Sequence, residues 1–577
     1  MPNEVPEENL TITKMERLKT EKKSALDLRE RKNIDWDENY LLYRNKVKTN
    51  RLTQRQAVNI PIMKETIKTL LSKIDELSEI QWKELSGDEQ KQLNYQEVWN
   101  DQSKKNKFEL LDVLDKKNVL LYGLSTTKLN IDDYGVCMSI LDPYDAAFDP
   151  LMVPWDIESA RFILHLNIFR SVKEILADDR YTTEGKEQLK IWSVEPAGIT
   201  QSEENRKAWE KKMERLRTMG IQNSEFALFA GGDRIVNLTE HYSKTWNAKE
   251  KKFEKRVIVY ADDKIELMDE KLEDLIGVEF WPFTNWTEDP EINEIYPDAV
   301  ADLIRVPNKV LNVWFSQLIE NRTLRNFQMH WFSPIQGYTP QTYTPGPGVM
   351  LPAPPGDDIN KVLKPVEVNG LDDTLQAIQQ VINIVERGTG ATAIEKGQPE
   401  KGVQTLGEVK ILVGKATDRA TAMAKFYRMA WYERAWKWDK LMHANAPKMM
   451  KLYKIGRNGV AFPKTIFKGD WISKNGYEPI VESTSEREQE ETKSIQKFLF
   501  VTSQSPNNLV LKKIALKKQL KILNLSPEEM REIEEAQEKL ENIPLEEKMT
   551  ENNPNNPSDN QTELATTMKD LQGVLSS

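Results

Sequence analysis

The stretch WFSPIQGYTPQTYTPGPGVMLPAPPGDDINKVLKPVEVNG occupies residues 331–370 and interrupts two helical patterns. It holds eight prolines and five glycines, with tyrosine, valine and leucine between them. Because proline lacks a backbone N–H and clashes with the preceding helical turn, no helix is expected here. Ordinary connections have only about 4–6 residues. The stretch is therefore either a long surface loop between two core helices or a rigid β-type insertion that docks a partner.

Helical periodicity flanks this insertion on both sides. Before it, one side of residues 307–327 is apolar, at Val310, Leu311, Trp314, Leu318 and Ile319. Pro307 predicts either a kink or a new helix that begins with this proline. After the insertion, a second apolar stripe is formed by Leu375, Ile378, Ile382 and Val385. Gly388 and Gly390 are expected to end that helix. If the insertion is the rigid β-type alternative, it lies at the tip of a helical hairpin.

A glycine-punctuated loop, GTGATAIEKGQPEKGVQT at 388–405, follows the second helix. Residues 406–445 then have the pattern of the longest helix in the chain, ending before Pro447. At ~1.5 Å per residue this helix spans roughly 60 Å, the scale of a domain. A strand-rich stretch follows it to Val481, with a hairpin turn predicted at Asn458-Gly459.

The N-terminal half mixes helices and strands. The first thirty-odd residues are dense in charge and carry only a thin apolar stripe, which favours an exposed helix or a frayed arm; the stripe is Met15, Leu18, Ala25 and Leu26. Two or three packed helices are predicted between residues 60 and 120. From Gly123 the pattern indicates a mixed α/β region, and strands on either side of residues 247–250 predict a β-hairpin.

Composition excludes several classes of function. The formal net charge is −10, which disfavours a protein that grips nucleic acid over a broad surface but not a conduit past which DNA slides. One cysteine and four scattered histidines leave no intrachain disulfide and no zinc-ligand spacing within one subunit. No run of about 18 apolar residues predicts a membrane span, and the polar, acidic N-terminus does not read as a secretory signal.

No motif points to catalysis. Neither a phosphate-binding loop nor a nucleophile elbow is present, and Gly388-Thr389-Gly390 follows a helix rather than a strand. The acid pairs Asp132-Asp133, Asp262-Asp263 and Asp357-Asp358 sit in turn-like contexts where solvation is the expected role. We therefore predict no enzyme, no catalytic residue, no cofactor and no metal. A nuclease acting on packaged DNA is the enzymatic alternative.

The order of these elements resembles that of tailed-bacteriophage portal proteins, from about residue 34 to residue 481. The likeness rests on DLIRVPNKVLN at 302–312, GTGA at 388–391 and DPYDAAFDPLMVPWDIESARFILHLNIF at 142–169. In that family two stem helices carry a clip between them, a tunnel loop follows the second stem helix, and a long helix then crosses the wing.

The resemblance implies an α+β multi-domain chain with an α/β wing, a helical stem, a β-type clip and a helical C-terminal crown. The implied order is an N-terminal arm at 1–33, a wing at 34–297, stem helix 1 at 298–327, a clip at 328–370, stem helix 2 at 371–387, a tunnel loop at 388–405, a long helix and wing return at 406–485, a crown at 486–545 and a disordered tail at 546–577.

The resemblance also implies a role and partners. The chain is expected to form a ring, twelve-fold in the virion, at one capsid vertex after assembly in the host cytoplasm. That ring is expected to pass double-stranded DNA during packaging and ejection. The implied partners are the terminase large subunit, a head–tail adaptor, and the major capsid and scaffold proteins, with no membrane. The alternative is another non-enzymatic virion structural or scaffold protein.

Three groups of site residues follow. Subunit contacts are expected at Leu311, Trp314, Leu318, Leu375, Ile378 and Ile382, because a lone helical hairpin cannot cover them. Weak DNA contacts, or only solvation of the loop, are expected at Arg387, Lys396, Gln398, Lys401 and Gln404. Clip docking is expected at Tyr338, Tyr343, Val349 and Leu351.

Overall fold

A computed structural model provides the structure of the 577-residue chain. It describes residues 13–46, 58–74, 80–132, 135–194, 210, 214, 235–248, 250–327, 330–332, 363–365, 368, 370–390, 406–455 and 461–481. All of these belong to the first of two units, Met1–Ser483 and Thr484–Ser577. The crown and tail expected at 486–577 lie outside the described residues. The described part is an α+β fold, and all of its paired strands run antiparallel.

The helices of the described part are α1 Lys14–Tyr43, α2 Ile62–Lys73, α3 Glu89–Lys105, α4 Phe108–Tyr122, α5 Val172–Ala177, α6 Thr183–Val194, α7 Leu272–Ile276, α8 Val300–Asn326, α9 Asp372–Thr389, α10 Leu406–Ala444 and α11 Lys468–Trp471, with a single 3-10 turn at Ile157–Ser159. The strands are β1 Gln81–Glu84, β2 Ser125–Asp132, β3 Gly135–Leu141, β4 Ala146–Phe148, β5 Phe162–Ser171, β6 Ile235–Asn247, β7 Lys252–Ala261, β8 Ile265–Lys271, β9 Phe283–Trp286, β10 His330–Phe332, β11 Leu363–Pro365, β12 Met449–Ile455, β13 Ala461–Phe467 and β14 Tyr477–Ile480.

Five of these strands form one sheet in the order β4-β5-β6-β7-β8. The alternation around residues 247–250 is the β6–β7 hairpin, in which Asn247 pairs with Lys252. One face of the sheet packs on a core that includes the fully buried Trp281 and Phe283. The other face buries Ile258 and Tyr260 against α1.

Helix α1 is an integral part of this fold rather than an exposed arm. Its thin stripe is buried on the sheet, since Leu18 packs with Ile258 and Tyr260 while Ala25 packs with Phe162 and Leu164. The helix begins at a capping box on Thr13, which satisfies backbone N–H groups at its N-terminus. It runs without a break through the predicted arm–wing boundary at residues 33 and 34. The expected exposed arm is therefore corrected to a helix that covers the sheet.

A second core joins the helices to the smaller sheets. Helices α2, α4, α8, α9 and α10 contribute buried side chains to it, together with the three-stranded sheet β3-β2-β9. Aromatic side chains fill its centre, where Trp82 lies edge-on to Tyr95 and Trp99 lies edge-on to Trp438. This core carries the helical hairpin that the sequence singled out.

The predicted long helix is α10, and the strand-rich stretch after it is the β12–β13 hairpin. Strand β14 then pairs with β1, with Trp82 opposite Pro479 and Glu84 opposite Tyr477. The chain after α10 is therefore joined to the N-terminal half by strand pairing.

Candidate functional site

The first helix of the hairpin is α8, and Asp302 fixes its start. One carboxylate oxygen accepts from the Ala299 N–H at 2.8 Å, which supplies an N-terminal donor with a partner. The other oxygen accepts from Asn39 Nδ2 of α1 at 2.9 Å and from Arg305 Nη1 at 2.8 Å. The polar residue that begins DLIRVPNKVLN thus ties α8 to α1.

Three polar side chains on α8, each four residues from the next, form a polar ladder: Asn308, Asn312 and Ser316. All three are buried. Each accepts a hydrogen bond from a backbone N–H within residues 58–63, at 3.1, 2.8 and 3.1 Å respectively. Asn308 Nδ2 also donates to the Ile60 carbonyl at 3.2 Å. The ladder therefore gives partners to backbone N–H groups in the first turn of α2 and in the residues just before it.

Pro307 lies inside one continuous helix, which decides between the two sequence alternatives. The lost N–H deprives the Leu303 carbonyl of its i+4 donor. The next residue, Asn308, is buried and bonded to residues 60 and 63. Contacts outside the helix thus hold the backbone immediately after the proline.

The six residues expected at subunit contacts divide into two groups. Leu311 and Ile378 are buried in this chain's own core, and Trp314 and Ile382 are packed against it. Helices α1, α2 and α4 all contact α8, so the hairpin is not a lone one. This corrects the expectation that these side chains need a neighbouring copy to cover them. Leu318 is half-buried, whereas Leu375 is 58% exposed and keeps apolar surface for a partner.

Another stripe on α8 carries the exposed apolar surface. Leu303, Val306, Val310 and Val313 recur at helical spacing, and Val306 is 61% exposed. At ~100° per residue this stripe points away from the polar ladder. The sequence reasoning missed it because α8 carries apolar residues on two sides, and only contact with residues 58–63 tells which side is inward.

The insertion begins and ends with a strand pair. β10 and β11 are antiparallel, with Trp331 opposite Lys364. The prediction of β structure in the insertion is therefore confirmed for the described residues near its two ends. The proposed docking residues Tyr338, Tyr343, Val349 and Leu351 lie outside the described residues.

The second helix of the hairpin, α9, ends two residues beyond the expected boundary at residue 387. It continues to Thr389, and Gly390 takes the left-handed conformation at φ +74° that terminates a helix. Arg387 is exposed on the last turn. Of the other expected DNA contacts, Lys396, Gln398, Lys401 and Gln404 lie outside the described residues.

Helix α10 is anchored by a buried ion pair to α4. Arg434 Nη1 and Nη2 donate to Asp115 Oδ2 and Oδ1 at 2.6 and 3.1 Å. Trp286 Nε1 donates to the same carboxylate at 2.7 Å. One turn of α4 away, Asp112 accepts from Lys116 at 2.8 Å, yet burial raises the pKa of Asp112 to about 6.

A second ionic contact joins α10 to the five-stranded sheet. Glu158, from the 3-10 turn, accepts from Lys437 at 3.0 Å and from Lys255 at 2.5 Å. Burial raises the pKa of this carboxyl, but the two ammonium groups outweigh burial and hold it below its usual range. Glu158 also accepts from the Trp281 N–H at 2.9 Å. The segment DIESA, residues 156–160, therefore connects the five-stranded sheet to α10.

The histidines and acid pairs have structural roles where their side chains are described. Burial lowers the pKa of His241, whose Nε2 lies 2.8 Å from Glu21 of α1. Burial also opposes the charged form of His443, but its hydrogen bond to Asp439 outweighs burial and raises that pKa. Asp263 pairs with Lys22 in a buried contact at 2.6 Å, which corrects the expected solvated turn. Within the described ranges, no cluster of His, Cys, Asp and Glu could hold a metal.

Helices of the described residues include none that is both long enough and apolar enough to cross a membrane.

Comparison with known proteins adds little. No protein-family model matches the chain, and neither does a curated protein. A solved chain from the virion of a native gene transfer agent particle is similar over 70% of this chain and 81% of its own length, with 9% identity and a TM-score of 0.35. A likeness this weak establishes neither fold nor function.

Proposed function

We propose that this chain is the subunit of a phage portal, a ring at one capsid vertex through which DNA is packaged and later ejected. The observation that carries the proposal is the hairpin. Two helices flank a proline-rich insertion that is closed at its base by the β10–β11 pair, and a glycine-ended turn then leads toward a 39-residue helix. In the family that this order resembles, those parts are stem, clip, tunnel loop and wing helix.

Assembly of such a ring needs two different surfaces on each copy, because a closed head-to-tail ring has a heterologous interface. The exposed stripe at Leu303, Val306 and Val313 supplies one of them. Apolar side chains at helical spacing on a single face favour burial against another helix. Leu375 of α9 adds exposed apolar surface to the same hairpin.

The conduit role is consistent with the charge of the chain. A net charge of −10 repels a polyanion weakly, so DNA is not held as it passes. Arg387 and the loop residues Lys396, Gln398, Lys401 and Gln404 are the proposed transient phosphate contacts. The insertion is the proposed docking site for the terminase large subunit and later the head–tail adaptor, with major capsid and scaffold proteins around the ring. No catalytic step is assigned to the chain.

Electron microscopy of the purified full-length chain tests this proposal. We expect annular particles in negative stain, and mass photometry of about 800 kDa for twelve copies of the 66.9 kDa chain. A protein that stays monomeric at micromolar concentration contradicts the proposal. Divalent-metal-dependent cleavage of plasmid DNA by the purified chain favours the nuclease alternative instead.

A further inference from the structure

A basic module follows α10. Residues 445–476 hold seven Lys or Arg and one acid, in a chain whose overall charge is −10. The β12–β13 hairpin forms most of this module, which we name the basic hairpin. Lys448 and Lys451 are exposed, and no carboxylate of the described residues lies within ion-pair distance of either. Lysines elsewhere, such as Lys22 and Lys128, are paired with carboxylates.

The outward face of the basic hairpin also exposes apolar side chains. Met449 and Phe467 are directly opposite each other in the strand register, and Phe467 is 57% exposed. Lys451 lies on the same face, opposite Thr465. An apolar centre with charged residues at its rim is the usual anatomy of a protein interface. DNA phosphates, by contrast, are bound by cations and N–H groups and leave an apolar pair unused.

An acidic loop elsewhere in the chain has the complementary character. Residues 287–298 hold five acids and no Lys or Arg. Ile295 and Tyr296 are buried at one end, and Trp286 is buried just before the other. Between these anchors Asp289, Glu291 and Glu294 are exposed, and Ile292 is 74% exposed at the centre of the acidic run.

We propose that the acidic loop of one copy docks on the basic hairpin of the next copy in the ring. Ile292 packs on the Met449–Phe467 pair, while Asp289 and Glu291 face Lys448 and Lys451. Within the described residues, no hydrogen bond or ion pair joins the two surfaces in a single chain. Two unlike surfaces that complement each other are what a heterologous contact requires.

This inference rests on the proposed ring and adds to the α8 stripe a contact that selects the partner and its orientation. A charge-exchange experiment on the full-length chain tests it. The hairpin variant carries Lys448→Glu and Lys451→Glu, the loop variant carries Asp289→Lys and Glu291→Lys, and a third chain carries all four changes. The matched control is Lys19→Glu with Lys23→Glu, two exposed lysines of α1.

Mass photometry measures the concentration at which half of each protein is assembled. We expect the hairpin and loop variants each to raise it by about tenfold or more, equivalent to about 1.4 kcal/mol, because attraction becomes repulsion. The chain with all four changes is expected to have a half-assembly concentration within about threefold of the parent's. The control variant is expected to lie within the same range. Ile292 is exposed, so Ile292→Asp should change the unfolding free energy little. This variant is expected to weaken assembly as the loop variant does. Circular dichroism melts check that every variant folds.

A parent chain that never assembles contradicts the ring and this contact together. If the parent forms rings and the charge reversals do not change its assembly, the contact is wrong but the ring is not. The same conclusion follows if the chain with all four changes stays dissociated. If the hairpin variant assembles normally but binds a short DNA duplex more weakly in fluorescence anisotropy, the basic hairpin contacts DNA and the proposal is wrong.

Discussion

Two Arg–Asp pairs in this chain have similar geometry but different surroundings. Arg434 and Asp115 are both buried, whereas Arg180 is largely exposed beside Asp178. Water screens the exposed pair, so it contributes about 0–1 kcal/mol. In the buried pair, loss of one partner leaves the other charge without compensation. The same contact therefore has a different weight at the two sites.

We expect Arg434→Met to lower the free energy of unfolding by about 3–5 kcal/mol, because it leaves the Asp115 carboxylate buried with too few partners. The matched change, Arg180→Met, is expected to cost no more than about 1 kcal/mol. Urea unfolding followed by tryptophan fluorescence measures both. Equal losses at the two sites contradict the assignment of Arg434–Asp115 as the anchor of α10.

Asp112 predicts a pH dependence. Burial raises its pKa in the folded chain to about 6, above the usual value for a carboxyl. The folded state therefore holds this proton more tightly than the unfolded state does. That contribution is complete below the unfolded pKa of about 3.9 and is lost as pH rises through about 6.

We expect Asp112→Asn to remove this dependence. The difference in unfolding free energy between the variant and the parent should shift in the variant's favour between pH 4 and pH 7, by up to about 3 kcal/mol. Urea titrations at a series of pH values measure it. A difference that is flat over this range, or one that grows in the parent's favour, contradicts the raised pKa.

Residue-level partners were the part that sequence could not supply. Asp262 and Asp263 are adjacent acids in a turn, a pattern that predicts solvation. Asp263 is nevertheless buried against Lys22, which is 241 residues away in the sequence. His241 similarly faces Glu21, 220 residues away. The local sequence pattern predicts that a residue lies in a turn. It cannot predict these partners, because they are brought together only when α1 packs on the sheet.

At the scale of elements, α8 shows why the helices of the hairpin can be predicted from the sequence, whereas the side of α8 that faces the core cannot. The apolar period identifies the helix, and the polar residues at 308, 312 and 316 interrupt one side of it. Those residues point inward because they bond the backbone of residues 58–63. The β6–β7 hairpin and α10 needed no such context, since strand alternation and a proline after the helix are local signals.

The outward stripe of α8 predicts a separation between folding and assembly. Leu303→Glu with Val306→Glu should leave the unfolding free energy within about 0.5 kcal/mol, because both side chains are exposed in the single chain. Ring formation should be lost, since two charges are placed in an apolar interface. Negative stain and circular dichroism together measure the two effects.

The matched control for the stripe is Ile34→Glu, an apolar residue of α1 that is also exposed. We expect this variant to assemble as the parent does. If Ile34→Glu dissociates the ring while the α8 variant does not, the interface lies on α1 and the role given to the stripe is incorrect.

At the scale of the molecule, α1 connects the two cores. Its first half covers the five-stranded sheet, through Leu18 and the Lys22–Asp263 pair. Its second half reaches α8, where Asp35 pairs with Arg305 at 2.8 Å and Glu38 pairs with Lys309 at 2.5 Å. A continuous helix in this position therefore joins the five-stranded sheet to α8 through contacts in both of its halves. The sequence pattern suggested the opposite because a helix that lies across two cores needs only a thin apolar stripe.

Two leucines on α1 test whether this helix is part of the fold. Leu18 is fully buried, whereas Leu28 is 39% exposed on the same helix. Leu18→Ala should lower the unfolding free energy by about 2–5 kcal/mol, because it leaves a cavity against Ile258 and Tyr260. Leu28→Ala should cost less than about 1 kcal/mol, since the lost side chain already contacts water. Thermal and urea unfolding of the two variants measure the difference. If both substitutions leave the unfolding free energy unchanged, α1 is an exposed arm and does not join the sheet to α8.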